Sequence, residues 1–431
     1  MYLVRYVKCK GPNRKSRLRN TSAKVLRRGL ALAIFSAAIL STVLAAGSPG
    51  KSRWSADLGP LGFDVARSGS TPYPETQLAV TDHVVAVAIG NVDSSGLRKA
   101  PGHPTFVPWN VILVLFDSTS GMMLTKTGPW RADFGFGLFA TANGNFVLHL
   151  RHYHSTDSIP TEDLHLISPS GKEFKVLNLQ PATHDPSNRP YFVLSTPSRR
   201  TLLVMHLLDD GKHYEMLDSD TLSIRMAWTD RIHDPMVIAL SEKELLAVGA
   251  PASGGPNGGN EPLYVRTIDG PWRSLPVSFE TGSREPGLFA PDNITFLSNH
   301  LVACIGPTVV SKPVQLKLVQ TDGATVFSNT IQAHLDLGSS VGPIQASADG
   351  RYFAVVESPI SWLWRQLDMV LWPDDLYVVI WSASRPTPVK KLNLGPQGGV
   401  IGGFSLSPDG SLVAVVNGGK VEAVRLIGPT E

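Results

Sequence analysis

Apolar residues in this chain come in short paired runs separated by turn formers. Near the C-terminus, Phe404 to Leu406 and Leu412 to Val416 flank Ser407-Pro408-Asp409-Gly410. Proline fixes φ at the first central turn position, aspartate bonds its own backbone, and glycine takes the φ > 0 position, so the pattern predicts a hairpin. The second run, Leu412-Val413-Ala414-Val415-Val416, is apolar at every position rather than every other one, which requires burial of both strand faces. A lone hairpin cannot provide that, whereas sheets stacked face to face can.

Six more strand–turn–strand units precede it: 77–80 into 83–89, 137–140 into 145–150, 191–194 into 201–207, 236–240 into 244–248, 293–297 into 300–305, and 343–346 into 352–356. Their turns, taken at residues 82, 143, 197, 242, 299, 349 and 409, lie 61, 54, 45, 57, 50 and 60 residues apart, room for four strands and their loops. A third, more alternating strand follows most units, as in Val314-Gln-Leu-Lys-Leu318 or Leu164-His-Leu166, and then a fourth, as in Phe174 to Leu179. Alternation marks a half-wet strand and places it towards the outside. The expected fold is all-β: a seven-bladed β-propeller of four-stranded antiparallel blades. The last unit stops after a third strand, Val421 to Leu426, so Trp54 to Leu58 is expected to supply the fourth and close the ring.

Ser407-Pro-Asp-Gly-Ser-Leu-Val-Ala-Val-Val416 and Ser347-Ala-Asp-Gly-Arg-Tyr-Phe-Ala-Val-Val356 resemble the blade motif of WD-repeat-like propellers, particularly the exported bacterial TolB-like and YVTN-type groups, without the Trp-Asp dipeptide.

Composition agrees with many short strands: 39 Gly and 33 Pro in 431 residues, with 42% apolar and only 17% charged. The net charge of +3 is misleading, because the first 28 residues hold ten Lys and Arg and no acid, leaving 29 bases against 36 acids in the remainder. A mildly acidic body removes the charge argument for nucleic-acid binding. Leu30 to Ala46 is uncharged and ends in small residues, so a basic head at 1–28 and an apolar stretch within 29–50 predict an export signal, with Val43-Leu44-Ala45 as cleavage site. Its seventeen residues approach the roughly 20 that span a bilayer, so an uncleaved membrane anchor is the other reading. Either way residues 51–431 form the propeller outside the cytoplasm: periplasmic, extracellular, or anchored on the outer side of the inner membrane. Cys9 lies in the basic head and Cys304 in an apolar strand, so no intrachain disulfide is expected and Cys304 reads as a buried, inert thiol.

The longest irregular stretches, 91–109, 153–161, 253–261 and 358–374, all fall between the second and third strands of their units. In a radial repeat that connection always leaves from one face, and insertions gathered on one face mark a binding surface. Trp109, Trp362, Trp364 and Trp372 are the candidate binding residues there; a lid packing its own aromatics onto the ring is the alternative. His152 and His154 are the candidate metal ligands, beside His149, Glu162 and Asp163. Asp218-Ser-Asp220 lacks the glycine and distal glutamate of a calcium loop. Gly338-Ser-Ser-Val-Gly342 matches a nucleophile elbow by letter but is followed by Pro343 and a strand, not a helix. Gly254-Gly-Pro-Asn-Gly-Gly259 lacks the Lys-Ser/Thr of a phosphate loop. No catalytic residue and no cofactor are assigned. The expected function is non-catalytic binding of a protein, peptide or glycan on the long-loop face. The alternative is an enzyme acting at the central channel, as lactonase-like and quinoprotein-like propellers do.

Overall fold

The computed structural model describes residues 54–63, 75–92, 109–133, 135–152, 161–179, 190–208, 211–249, 263–277, 294–306, 314–331, 344–357, 375–396, 403–417 and 419–426. These all fall within the unit Gly50–Glu431, so the expectations for 1–28 and 29–50 lie outside the described residues. The only helical turn among them is the 3-10 segment Gly59–Leu61.

Seven four-stranded antiparallel sheets make up the unit, six of them of strands consecutive in sequence. Blade 1 runs β2 (Glu75–Val80), β3 (Val84–Val92), β4 (Trp109–Asp117), β5 (Met123–Ala132), and blade 2 runs β6 (Phe136–Ala140), β7 (Phe146–His152), β8 (Thr161–Ile167), β9 (Glu173–Leu179). Blade 3 is β10 (Pro190–Ser195), β11 (Thr201–Leu207), β12 (Gly211–Asp218), β13 (Ile224–Arg231); blade 4 is β14 (Met236–Leu240), β15 (Glu244–Val248), β16 (Leu263–Thr267), β17 (Arg273–Leu275). Blade 5 is β18 (Ile294–Ser298), β19 (Leu301–Gly306), β20 (Val314–Gln320), β21 (Thr325–Ile331); blade 6 is β22 (Gln345–Ala346), β23 (Tyr352–Glu357), β24 (Asp375–Ser382), β25 (Pro388–Pro396). Blade 7 is β26 (Gly403–Leu406), β27 (Leu412–Asn417), β28 (Lys420–Arg425) and, from the other end of the chain, β1 (Trp54–Asp57). Trp54 stands opposite Ala423 and Asp57 opposite Lys420, so the ring closes as the sequence predicts.

Seven apolar clusters separate the blades, one at each junction. The second strand of a blade feeds two of them at once, which is why it is apolar throughout. In β3, Val85, Val87 and Ile89 pack towards blade 7 while Val84, Ala86 and Ala88 pack towards blade 2. In β27, Leu412, Ala414 and Val416 face blade 1, and Val413 and Val415 face blade 6. The third strands are drier than their alternation implies: β4 is buried from Val111 to Phe116, because it too lies between two sheets. Exposure belongs to the fourth strand, as in β9, where only Leu179 is buried.

The repeating turn explains its own sequence. Ser347 Oγ and Ser407 Oγ donate to Asp349 Oδ1 (2.7 Å) and Asp409 Oδ1 (2.6 Å), while the amides of Tyr352 (3.0 Å) and Leu412 (2.9 Å) donate back to the serine oxygens. Burial works against the Asp409 charge, but bonds from Ser407 and Ser411 outweigh it and hold the carboxyl below its ordinary range. The glycines carry φ of +70° and seat each turn on the preceding blade. A Cβ at Gly350 would stand 2.1 Å from the Leu297 carbonyl oxygen, and one at Gly410 2.9 Å from the Tyr352 ring. Gly350→Ala is therefore expected to lower stability by about 3 kcal/mol, through left-handed strain and a clash with backbone that cannot rotate away. Gly410→Ala, which meets a side chain, should lose less; equal losses in urea unfolding would contradict this account.

Candidate functional site

Antiparallel order fixes the two faces of the ring. Turns between first and second strands, and between third and fourth, lie on one face; connections between second and third strands emerge on the other. The connections 93–108, 153–160, 249–262 and 358–374 are all of the second kind, so the four long stretches leave from a single face. Trp362, Trp364, Trp372, His154 and Gly254 to Gly259 sit in them, outside the described residues, and Gly338-Ser-Ser-Val-Gly342 also lies outside those residues.

Trp109 begins β4 and is 8% exposed, packed with Ala132 and Phe136 in the core between blades 1 and 2. Gly90 leaves space for it: a Cβ there would lie 3.0 Å from the Trp109 ring. Its burial follows from β4 beginning at Trp109 itself, which carries the ring into the core. Cys304 is buried and free, and burial pushes its thiol pKa up to about 12, so it stays protonated.

At the foot of the 358–374 connection, Lys391 Nζ donates to Glu357 Oε2 at 3.0 Å and lies 4.3 Å from the centre of the Tyr377 ring. At the foot of 153–160, the end of β7 carries the histidines that the sequence singles out. His152 Nε2 lies 2.9 Å from Asp163 Oδ2 across the strand pair. His149 Nε2 meets Glu162 Oε2 at 2.5 Å, and Arg151 Nε approaches Glu162 Oε1 at 3.3 Å. Among the described residues no group of three or more His, Cys, Asp or Glu is placed to hold a metal ion. Asp218 serves the 218–223 turn instead, and Asp220 the 141–144 turn of blade 2. Asp218 Oδ1 accepts from the amides of Asp220 and Thr221 at 3.0 and 2.9 Å, and Thr141 Oγ1 donates to Asp220.

The channel is lined by the first strand of each blade. These seven strands hold a single carboxylate, Glu75, and no His, Asn, Lys or Arg. Their wall is apolar with scattered Gln77, Ser195, Thr295, Gln345 and Ser405. At the short-turn end, one residue crosses it. Arg199 of blade 3 donates Nη2 to the Leu406 carbonyl of blade 7 at 2.6 Å and Nη1 to the Val80 carbonyl of blade 1. Blades 3 and 7 are not neighbours, so the side chain reaches over the mouth of the channel and bonds both sides of the seam where the ring closes. Burial pulls its pKa down to about 10, against the pull of Asp82 and Asp409, and it remains charged at neutral pH.

Arg199 occupies the turn position held by glycine elsewhere. Its amide bonds the Thr196 carbonyl at 2.9 Å, as Gly144 bonds Thr141, Gly350 bonds Ser347 and Gly410 bonds Ser407. Its φ is +63°, costly for a residue with a side chain. Sequence reasoning passed over it. The available signal was the run Thr-Pro-Ser-Arg where other blades read Thr-Ala-Asn-Gly or Ser-Pro-Asp-Gly.

No protein-family model matches the sequence, and no curated protein matches it. Among solved structures, the chain is similar to one in the crystal structure of the mitotic checkpoint complex, at 13% identity and a TM-score of 0.45, covering 89% of this chain and 96% of that one. It is also similar to a chain of Kuenenia stuttgartiensis hydrazine synthase, at 10% identity and a TM-score of 0.45, covering 84% of this chain and 99% of that one. What stands on the chain's own strands is its architecture: a seven-bladed β-propeller closed by its N-terminal strand.

Proposed function

We propose that this protein is an exported, non-catalytic binding propeller that holds a protein, peptide or glycan partner on its long-loop face. The observation that carries the reading is the common origin of the four long connections on one face, opposite a face of tight turns. Three features support it. The first strands carry one carboxylate, Glu75, where a channel enzyme needs several converging ligands or acid–base groups. Arg199 spans the far mouth of the channel, so access is from the long-loop side. Three tryptophans in 358–374 suit a partner surface, since tryptophan dominates the energetics of many interfaces. Export rests on the basic head and apolar stretch of residues 1–50.

Photo-crosslinking in the native host tests this reading. A crosslinking amino acid at position 364 or 372 should give discrete adducts, and one at Asn143 or Asp322 on the short-turn face should not. Adducts confined to the short-turn face would refute the binding-face reading, and a stoichiometric bound ion in the purified protein would favour the channel enzyme.

A further inference from the structure

The interface between blades 2 and 3 changes character along its length. Towards the short-turn face it is apolar: Val147 and Leu164 of blade 2 meet Leu202, Val204 and Leu217 of blade 3. Strand alternation carries the same two facing surfaces on into titratable side chains. From Val147, β7 continues to His149 and Arg151, and from Leu164, β8 runs back to Glu162. From Val204, β11 continues to His206, and from Leu217, β12 runs back to Glu215 and His213. Three imidazoles, two carboxylates and a guanidinium thus fill the long-loop end of one blade junction.

His149, Glu162 and His206 are each at most 4% exposed. His206 stands opposite His213 in the strand pair, with ring centres 6.1 Å apart. The carboxylates are already engaged, Glu162 by His149 and Arg151, and Glu215 by His213 at 3.5 Å. His213 Nδ1 is taken by Thr229 Oγ1 at 3.0 Å, while His206 Nδ1 is buried with no partner among the described residues. A proton arriving on Nδ1 of His206 finds no acceptor among the described residues for the new N–H, and it is held beside the imidazole of His213.

We propose that the junction of blades 2 and 3 is a proton-operated hinge, closed at neutral pH and opened at its long-loop end on mild acidification by charging of His206 against His213. Burial lowers the affinity of His206 for its proton, ahead of smaller opposing pulls from Glu215 and Glu162 and a push from His213. A base whose pKa is depressed in the closed state is neutral in both states well above its ordinary value near 6.5. As pH falls through that value, the open state takes the proton first, so closure weakens across the interval down to the closed-state pKa. The connections 153–160 and 209–210 leave from this junction; that their release alters partner binding rests on the function proposed above, whereas the opening does not.

Hydrogen exchange on the full-length protein, corrected for the intrinsic pH dependence of amide exchange, separates the two. Between pH 7.5 and 5.5, exchange in 146–152, 161–167, 201–207 and 211–218 should rise about tenfold, the scale of one proton-binding unit, with 301–306 and 412–417 unchanged. His206→Gln should abolish the rise, and His213→Gln, measured whether or not the first variant folds, should reduce it. A rise shared equally by all blades, or one that survives both substitutions, overturns the hinge. Opening without any change in crosslinking at 364 or 372 would leave the hinge standing and count against its link to the partner.

Discussion

Deleting residues 54–58 is expected to abolish cooperative folding of the ring, not merely to trim its stability. Trp54 is 8% exposed and Leu58 fully buried, both in the cluster that joins blade 7 to blade 1. The Trp54 indole N–H donates to the Ser118 carbonyl at 3.0 Å, and its ring lies 5.7 Å from that of Phe116. The Leu58 amide donates to the Gly419 carbonyl at 2.8 Å. Trp54→Ala alone should cost about 3–5 kcal/mol, a large part of the roughly 5–15 kcal/mol that holds a typical domain folded. Removing the whole strand also exposes the β28 edge and the apolar wall behind it, a surface prone to pairing with other chains. Gly121 supplies an independent check, since a Cβ there would come within 2.5 Å of the Trp54 ring. Gly121→Val should reproduce the defect of Trp54→Ala. Thermal unfolding and limited proteolysis of these variants decide the matter, and an unaltered transition after deletion would remove ring closure as the source of stability.

Arg199→Ala should produce the second largest loss. Two bonds from a buried guanidinium to main-chain carbonyls contribute about 1.5–3 kcal/mol each, and the carbonyls of Val80 and Leu406 would lose their donors. Arg199→Gly removes the same bonds but relieves the left-handed backbone, so it should be about 1 kcal/mol more stable than the alanine variant. Arg199→Lys should not rescue, because a single ammonium lacks the planar fork that spans both acceptors. Urea unfolding should rank wild type first, then Arg199→Gly, then Arg199→Ala, with Arg199→Lys also below wild type. Wild-type stability in the glycine variant would show that the crossing bonds contribute nothing.

Much of the ring was legible because propeller packing writes itself into local pattern. A strand buried on both sides must be apolar throughout, so the second strands could be placed within three residues at either end: 412–416 is found as Leu412–Asn417, and 244–248 as Glu244–Val248. Closure by residues 54–58 followed from counting strands, since a blade of three is incomplete. Where only two residues pair, as in β22, the predicted strand overran at Ile344. The wetness of the third strands was overread in β8, where alternation coexists with burial between two sheets, while β20 does expose Gln315 as its alternation implies. Trp109 illustrates a further limit. A tryptophan at the boundary of loop and strand has the same local signature whether it faces a partner or, as here, the core.

Contacts spanning many blades left no such trace. Arg199 bonds residues 119 and 207 positions away, and nothing near it in sequence names those partners. The polar end of the blade 2–3 junction was visible only as a run of histidines in one strand. Its counterpart, His206 and His213 of β11 and β12, came into view when the two sheets were seen to face each other.

Closure by β1 also dictates when the protein can finish folding. Because β1 pairs with β28, a nascent chain can stack blades one upon another but cannot shut the circle until about residue 425 has emerged. Throughout synthesis one face of blade 1 and the growing end of the stack are exposed together, a window that calls for holding by chaperones or rapid completion.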